Sequence, residues 1–252
     1  MRAWLLAVAV TACGTSSTGG ADAGPDTRCG LDCAAQATYG LVVGRCFEYS
    51  DDSTRKKDPP SLGVLVLPVF TLDNSVKVLP VEYRQSGQLK MRDSFVFKNG
   101  DLLLARREFP GTDQSVTYRD SALAVSGVKW LQRDSASGET YTSAVKALVV
   151  NAAGMSNSTD SSYRVTTAVP SAAELKTPLN GYLDGLKLIT GESPTDNGSD
   201  PRRVFVPNVG FVLIASPLSL TPGTPTTPMS LQRIRDMGTP DAGSGDCSLG
   251  AP

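Results

Sequence analysis

Gln88-Leu-Lys-Met-Arg-Asp93-Ser-Phe95-Val-Phe97-Lys-Asn99-Gly100-Asp-Leu102-Leu-Leu104-Ala-Arg106-Arg-Glu-Phe109 reads as two strands around a two-residue turn. Asn and Gly both tolerate the positive φ that a type I′ turn demands, and that turn matches the twist of the strands it joins. With Asn99-Gly100 at the tip, Phe97 faces Leu102, Phe95 faces Leu104 and Asp93 faces Arg106. One face of the ladder is then apolar, and the ladder ends on an opposite-charge pair. Antiparallel pairing of this kind sets the expectation for the whole chain.

The pattern repeats outward from the hairpin. Gly40 to Tyr49, Leu62 to Phe70, Val76 to Tyr83, Ser115 to Tyr118, Leu123 to Arg133, Tyr141 to Val150 and Tyr163 to Val169 all carry strand-type runs. Tyr182 to Thr190, two pieces of Arg202 to Ala215 around Pro207-Asn208, and Met229 to Arg235 complete the series. Pro68 and Pro80 point to edge positions or bulges, since proline cannot donate to a ladder. Asp51 to Pro60, Asn151 to Ser162, Gly191 to Asp200 and Pro217 to Pro228 read as loops. Ser171-Ala-Ala-Glu174 has capping-box spacing and starts at most one helical turn before Pro178. Ten to twelve short strands without a long helix or repeat indicate an all-β, mainly antiparallel fold. A single curved sheet or half-open barrel is expected, with a β-sandwich as the alternative.

Composition narrows the function classes. The chain has 252 residues, with Lys plus Arg at 24 against Asp plus Glu at 25, so no net field favours nucleic acid. It contains no histidine, which removes His-based nucleophile activation and His metal ligands. Asp196-Asn-Gly-Ser-Asp200 is oxygen-rich but lacks the spacing and terminal glutamate of a calcium loop, and reads as a solvated turn. Arg202-Arg203, Arg106-Arg107 and Arg55-Lys-Lys57 read as solvated strand ends or loops. No cofactor motif is present, and no catalytic residue is assigned.

The N-terminus supplies an address. Met1-Arg2 begins positively, Ala3 to Val10 is apolar, and Ala12 precedes a cysteine, which is the layout of an export signal. Val10-Thr11-Ala12-Cys13 resembles the lipobox of bacterial lipoproteins. That resemblance implies cleavage after Ala12 and a lipid on Cys13, so that the mature protein is held to a membrane. Gly14, where an aspartate would imply inner-membrane retention, points to the outer membrane of a bacterial cell envelope. The expected organisation is a signal over 1–12, the lipidated cysteine and a tether over 13–38, a β domain over 39–235, and a disordered tail over 236–252 pinned by Cys247. Gly14 to Arg28 is Gly-, Ser- and Thr-rich, and such a tether spans roughly 20 Å.

With Cys13 lipidated, Cys29, Cys33, Cys46 and Cys247 remain, an even number in an exported chain. Two disulfides are expected, with three connectivities open. A four-thiolate metal site is disfavoured because Cys46 and Cys247 do not form a second close pair.

Leu41-Val-Val-Gly44-Arg-Cys-Phe47-Glu-Tyr49 and Phe205-Val-Pro-Asn-Val-Gly210-Phe-Val212 resemble the opening and closing segments of a broad group of bacterial lipoproteins. Phe47 stands where those proteins carry tryptophan, and Asn208 where they carry glycine. The resemblance implies a curved sheet similar to the half-barrels of lipoprotein carrier proteins. In such a sheet the first and last strands lie near each other, which favours Cys46–Cys247 with Cys29–Cys33 as the second bridge. Cys29 or Cys33 would pin the tail equally well. The functional expectation is a non-enzymatic, lipid-anchored envelope protein that binds an apolar ligand or a protein partner on its sheet. The alternatives are a structural or surface-interaction lipoprotein without a ligand cavity and, behind it, a His-independent hydrolase.

Overall fold

The Asn99-Gly100 turn forms as its chemistry requires. In the computed structural model, which describes residues 31–50, 60–73, 76–85, 87–193, 203–215, 228–237 and 247, Asn99 has φ 56° and Gly100 φ 85°. Phe97 pairs with Leu102 and Phe95 with Leu104, as the turn dictates. Below Phe95 the ladder departs from a regular register. A bulge at Ser94/Phe95 shifts the pairing by one residue, so Asp93 faces Arg107 and not Arg106. The extra residue leaves Ala105 and Arg106 side by side opposite one partner, and turns the Arg107 side chain inward.

Fourteen strands are described, all joined in antiparallel ladders. β1 (Arg45–Ser50), β2 (Leu62–Val66), β3 (Phe70–Leu72), β4 (Val76–Gln85), β5 (Gln88–Lys98) and β6 (Asp101–Phe109) come first. β7 (Gln114–Arg119), β8 (Val128–Leu131), β9 (Thr140–Val150) and β10 (Ser156–Ala168) follow. β11 (Leu186–Ser193), β12 (Arg203–Val206), β13 (Gly210–Ala215) and β14 (Pro228–Asp236) complete the set. Neighbours run β2-β1-β14-β13-β12-β11-β10-β9-β7-β6-β5-β4, and β2 pairs back onto β4, from Leu62 with Gln85 to Val66 with Val81. The expected curved sheet thus closes fully into a twelve-stranded barrel. β3 extends the sheet beside β4, and β8 lies beside the lower half of β6.

Several local expectations meet their limits here. Pro80 falls where β4 changes partner on one side, between Val78 paired with Phe70 and Val81 paired with Val66, so its missing N–H sits where that ladder is already interrupted. Ser156–Ser162, expected as loop, is strand: every residue there pairs with β9, from Ser156 with Val150 to Ser162 with Ala144. Cross-strand pairing overrides the low strand propensity of a Ser/Asn/Asp-rich run. The Ser171–Glu174 box does form, with the Ser171 amide and hydroxyl donating to Oε2 of Glu174 and the Glu174 amide donating to the Ser171 hydroxyl. It encloses only a turn.

The segment expected as tether ends earlier than Thr38. Cys33–Thr38 is a short helix, α1, whose N-cap Asp32 accepts a hydrogen bond from the Ala35 amide at 3.0 Å. Tyr39 follows it into one end of the barrel, stacks on Phe97 and Phe205, and donates from its hydroxyl to the Gly100 carbonyl at 2.8 Å. Gly40, at φ 69°, passes so close to the β12–β13 turn that a Cβ would lie 2.3 Å from the Val209 carbonyl oxygen. The barrel end and its plug are therefore fitted through backbone contact.

Gly100→Val places a β-branched residue at positive φ directly under that plug, and is expected to destabilise by about 2 kcal/mol. Calorimetry is expected to show a melting temperature lower by about 4–8 °C. An unchanged melting temperature would place the turn elsewhere.

Candidate functional site

The cysteines come first, because the sequence singled them out. Cys46 opens the outward face of β1 and is disulfide-bonded to Cys247, with Cα atoms 5.7 Å apart at a sequence separation of 201. Both are fully buried, in a small cluster with Leu65 and Leu67 of β2 and its neighbour segment, separate from the main core. Cys33 is also disulfide-bonded, at the start of α1. Of the tail expected as disordered over 236–252, Asp236 instead ends β14 and the Met237 amide donates to the Gly44 carbonyl, while Cys13, Cys29 and residues 238–246 and 248–252 lie outside the described residues.

Inside the ring, alternation along each strand turns one face to the core. Phe47 and Tyr49 of β1, Val64 and Val66 of β2, and Leu79, Val81 and Tyr83 of β4 point inward. Met91 and Phe95 of β5, Leu102 and Leu104 of β6, Tyr118 of β7 and Tyr163 of β10 join them. Trp130, supplied by β8, is fully buried and packs edge-on against Phe95 and Phe211 at centroid distances of 5.2 and 6.2 Å. A barrel of twelve strands is wider than one of eight, whose side chains just fill it. Large aromatic rings close the extra space.

A polar network shares that interior. Asp93, with no exposed surface, accepts two hydrogen bonds from the Arg107 guanidinium at 2.7 and 2.9 Å. Burial works most strongly on Arg107, against its charge, but the Asp93 charge, its hydrogen bonds and the nearby Tyr163 and Tyr118 together hold the guanidinium protonated beyond its ordinary range. The Tyr83 hydroxyl bonds the same carboxylate, and burial, reinforced by the Asp93 charge, pushes its pKa well above the usual phenol value. Tyr49 is raised chiefly by burial as well, and donates to the Phe211 carbonyl at 2.6 Å. Arg203, 2% exposed, lays its guanidinium 4.4 Å from the centroid of the Trp130 ring, with Arg107 at 5.6 Å. Two arginines read from the sequence as solvated strand ends are thus interior residues. Their adjacent partners gave no sign of it, because the β5–β6 bulge and the β12 pairing decide which of each Arg-Arg pair turns in.

Chemically this network is stable against proton exchange near neutrality. The carboxylate is paired, the guanidinium is held charged, and the phenols are held neutral. Catalytic acids and bases need values poised near the working pH, and no shift here runs in that direction. Among the described residues no three His, Cys, Asp or Glu side chains converge as metal ligands. A recess between α1 and the hairpin turn, lined by Asp32, Ala35, Thr38, Gly100 and Arg133, has a volume of about 30 Å³, room for one water.

On the outward face, two carboxylates are buried beneath arginines. Glu48 of β1 is held by Arg233 and Arg235 of β14. Glu82 of β4 receives Arg84 at 2.8 and 3.0 Å on one oxygen and Arg92 of β5 on the other. Glu108 of β6 continues the row, with Arg106 at 3.0 Å and Arg92 at 3.7 Å. No protein-family model, curated protein or solved structure matches the chain.

Two measurements follow from these groups. Non-reducing peptide mapping is expected to recover Cys46 and Cys247 as one cross-linked species, and Cys247→Ser to lower stability by about 2–5 kcal/mol, since the bridge closes a long loop in the unfolded chain. Tyr49 and Tyr83 have folded pKa values above the unfolded value, so their contribution is complete below pH about 10 and is lost as pH rises beyond it. In an alkaline titration, phenolate absorbance from these tyrosines is therefore expected to appear only together with loss of tertiary structure. Their ionisation in a still-folded barrel would contradict the sealed interior.

Proposed function

We propose that the protein is a lipid-anchored component of a bacterial cell envelope, held through Cys13, which works by presenting the outside of a rigid barrel to protein partners. The observation that carries the reading is how the described side chains pack the interior. Aromatic and aliphatic side chains together with the Asp93–Arg107–Tyr83 network occupy the space where a half-barrel would hold an apolar ligand. Of the two non-enzymatic expectations, the one without a ligand cavity therefore has the better support. A hydrolase would need an open cleft with convergent groups of matched acidity, and the buried titratable groups are instead paired with one another.

The barrel's own outward face speaks against its spanning a bilayer. A membrane barrel carries an outward apolar band about 25 Å tall. Here β14, β1, β4, β5 and β6 turn Arg233, Glu48, Glu82, Arg92 and Glu108 outward. Among the described residues no helix is long and apolar enough to cross a membrane. Membrane attachment therefore rests on the lipobox, and the outer membrane, implied by Gly14, is its expected location.

Cys13→Ser is expected to move the protein from the membrane fraction to the soluble fraction while leaving the barrel folded. Stable anchoring takes more than one acyl chain, and all of them depend on this residue. Unchanged membrane partition would overturn the anchored reading. Native mass spectrometry of the gently purified protein is expected to show no bound lipid in the barrel, and a stoichiometric lipid would restore the ligand-carrier reading.

A further inference from the structure

The connection between β10 and β11 breaks the polar character of the surface. Val169 is 74% exposed, Leu179 41% and Leu183 102%, so three of the seven large exposed hydrophobics among the described residues fall within this one connection. Tyr182 beside them is partly exposed. Exposed aliphatics scattered singly are ordinary, whereas here three share one connection.

The connection is held in shape without hiding these side chains. Lys176 and Gly181 form a bridge, the Tyr182 amide donates to the Leu175 carbonyl, and the Leu179 amide donates to the Leu231 carbonyl of β14. Glu174 is tied to Lys187. The backbone is therefore braced at both ends while Leu183 projects into solvent. Leu175 of the same connection is buried in the main core, so the connection packs one leucine inward while Leu179 and Leu183 stay outside.

Position identifies the occupant. The connection sits at the same end of the barrel as α1. Ala168 pairs with Lys187 and Leu186 with Phe205 at the foot of the sheet. The turn after β12 is bonded to α1 through the Asn208 amide and the Thr38 carbonyl at 2.8 Å. The described chain begins at this end with Leu31, which follows Cys13 by 18 positions in the sequence. A membrane holding Cys13 lies within reach of this end.

We infer that the 169–185 connection is a membrane-contact surface, in which Val169, Leu179 and Leu183 enter the headgroup boundary of the bilayer that holds the lipid on Cys13, while Tyr182 packs inward against the core. This inference rests on the anchored reading proposed above. The exposed Lys176 and Asp184 on either side keep the insertion shallow, at the 5–10 Å typical of interfacial segments. The contact orients the barrel, so that the opposite end, with the β9–β10 turn, points away from the membrane.

The test uses the mature lipidated protein on vesicles of phosphatidylethanolamine and phosphatidylglycerol, with and without brominated acyl chains. Leu183→Trp reports the proposed contact, and Ser158→Trp, ten residues and about 33 Å up β10 from Ala168, reports the far end. Trp130 is buried in the barrel and supplies a constant background. Leu183→Trp is expected to lose emission and shift to the blue on brominated vesicles, while Ser158→Trp is unaffected. Protein that floats with the vesicles but shows no quenching at position 183, or equal quenching at both positions, overturns the contact and leaves the anchor intact. Protein that does not float overturns the anchored reading and the contact with it.

Discussion

The pairing of β2 with β4 is the constraint on which the rest of the barrel depends. Five residue pairs, Leu62–Gln85 through Val66–Val81, turn an antiparallel sheet into a ring. An open sheet leaves unpaired N–H and C=O groups at each edge, a standing invitation to aggregation, and closure removes both edges of the ring. The cost is geometric. A twelve-stranded ring encloses more volume than small aliphatic side chains can fill, and an unfilled interior forfeits the contacts that stabilise a core.

The chain meets that demand with long side chains. Trp130, brought in by the accessory strand β8, fills the middle against Phe95 and Phe211, and the guanidinium groups of Arg107 and Arg203 lie against its ring. Arginine suits this place because a planar, weakly hydrated cation packs on an aromatic face. A buried guanidinium in turn requires a partner, since leaving a charge unpaired in a dry interior costs several kcal/mol. Asp93 answers that need for Arg107 and orders Tyr83 as well. The polar core is thus a consequence of ring size.

The two ends of the barrel differ in kind. One is stoppered by Tyr39 and α1 and carries the apolar connection after β10, while the other ends in hairpin turns such as that at 151–155. The disulfide from Cys46 to Cys247 fastens the C-terminal segment to the outside of the first strand. Plug and disulfide therefore both act on the strands around β1, where the first and last strands meet through β1–β14 pairing.

Local chemistry alone decided a good deal of this. Asn99-Gly100 fixed a hairpin because few residues accept positive φ, and alternation placed Phe95, Phe97, Leu102 and Leu104 on one face. The even cysteine count and the closeness of first and last strands in similar sheets pointed to Cys46–Cys247. The all-β class followed from short runs punctuated by turns, although fourteen strands form where ten to twelve were expected. What depended on tertiary structure was every choice between near-equivalent residues. Whether Arg106 or Arg107 faces Asp93 turns on a bulge whose energy is set by neighbours on both strands. Whether Ser156–Ser162 is loop or strand turns on a ladder with β9 that no local preference would supply. Closure of the ring, and with it the filled interior, turns on pairing between β2 and β4, with β3 intervening in the chain. Such long-range hydrogen bonds leave no periodic trace in sequence, because the same alternating pattern serves an open sheet, a half-barrel and a closed ring alike.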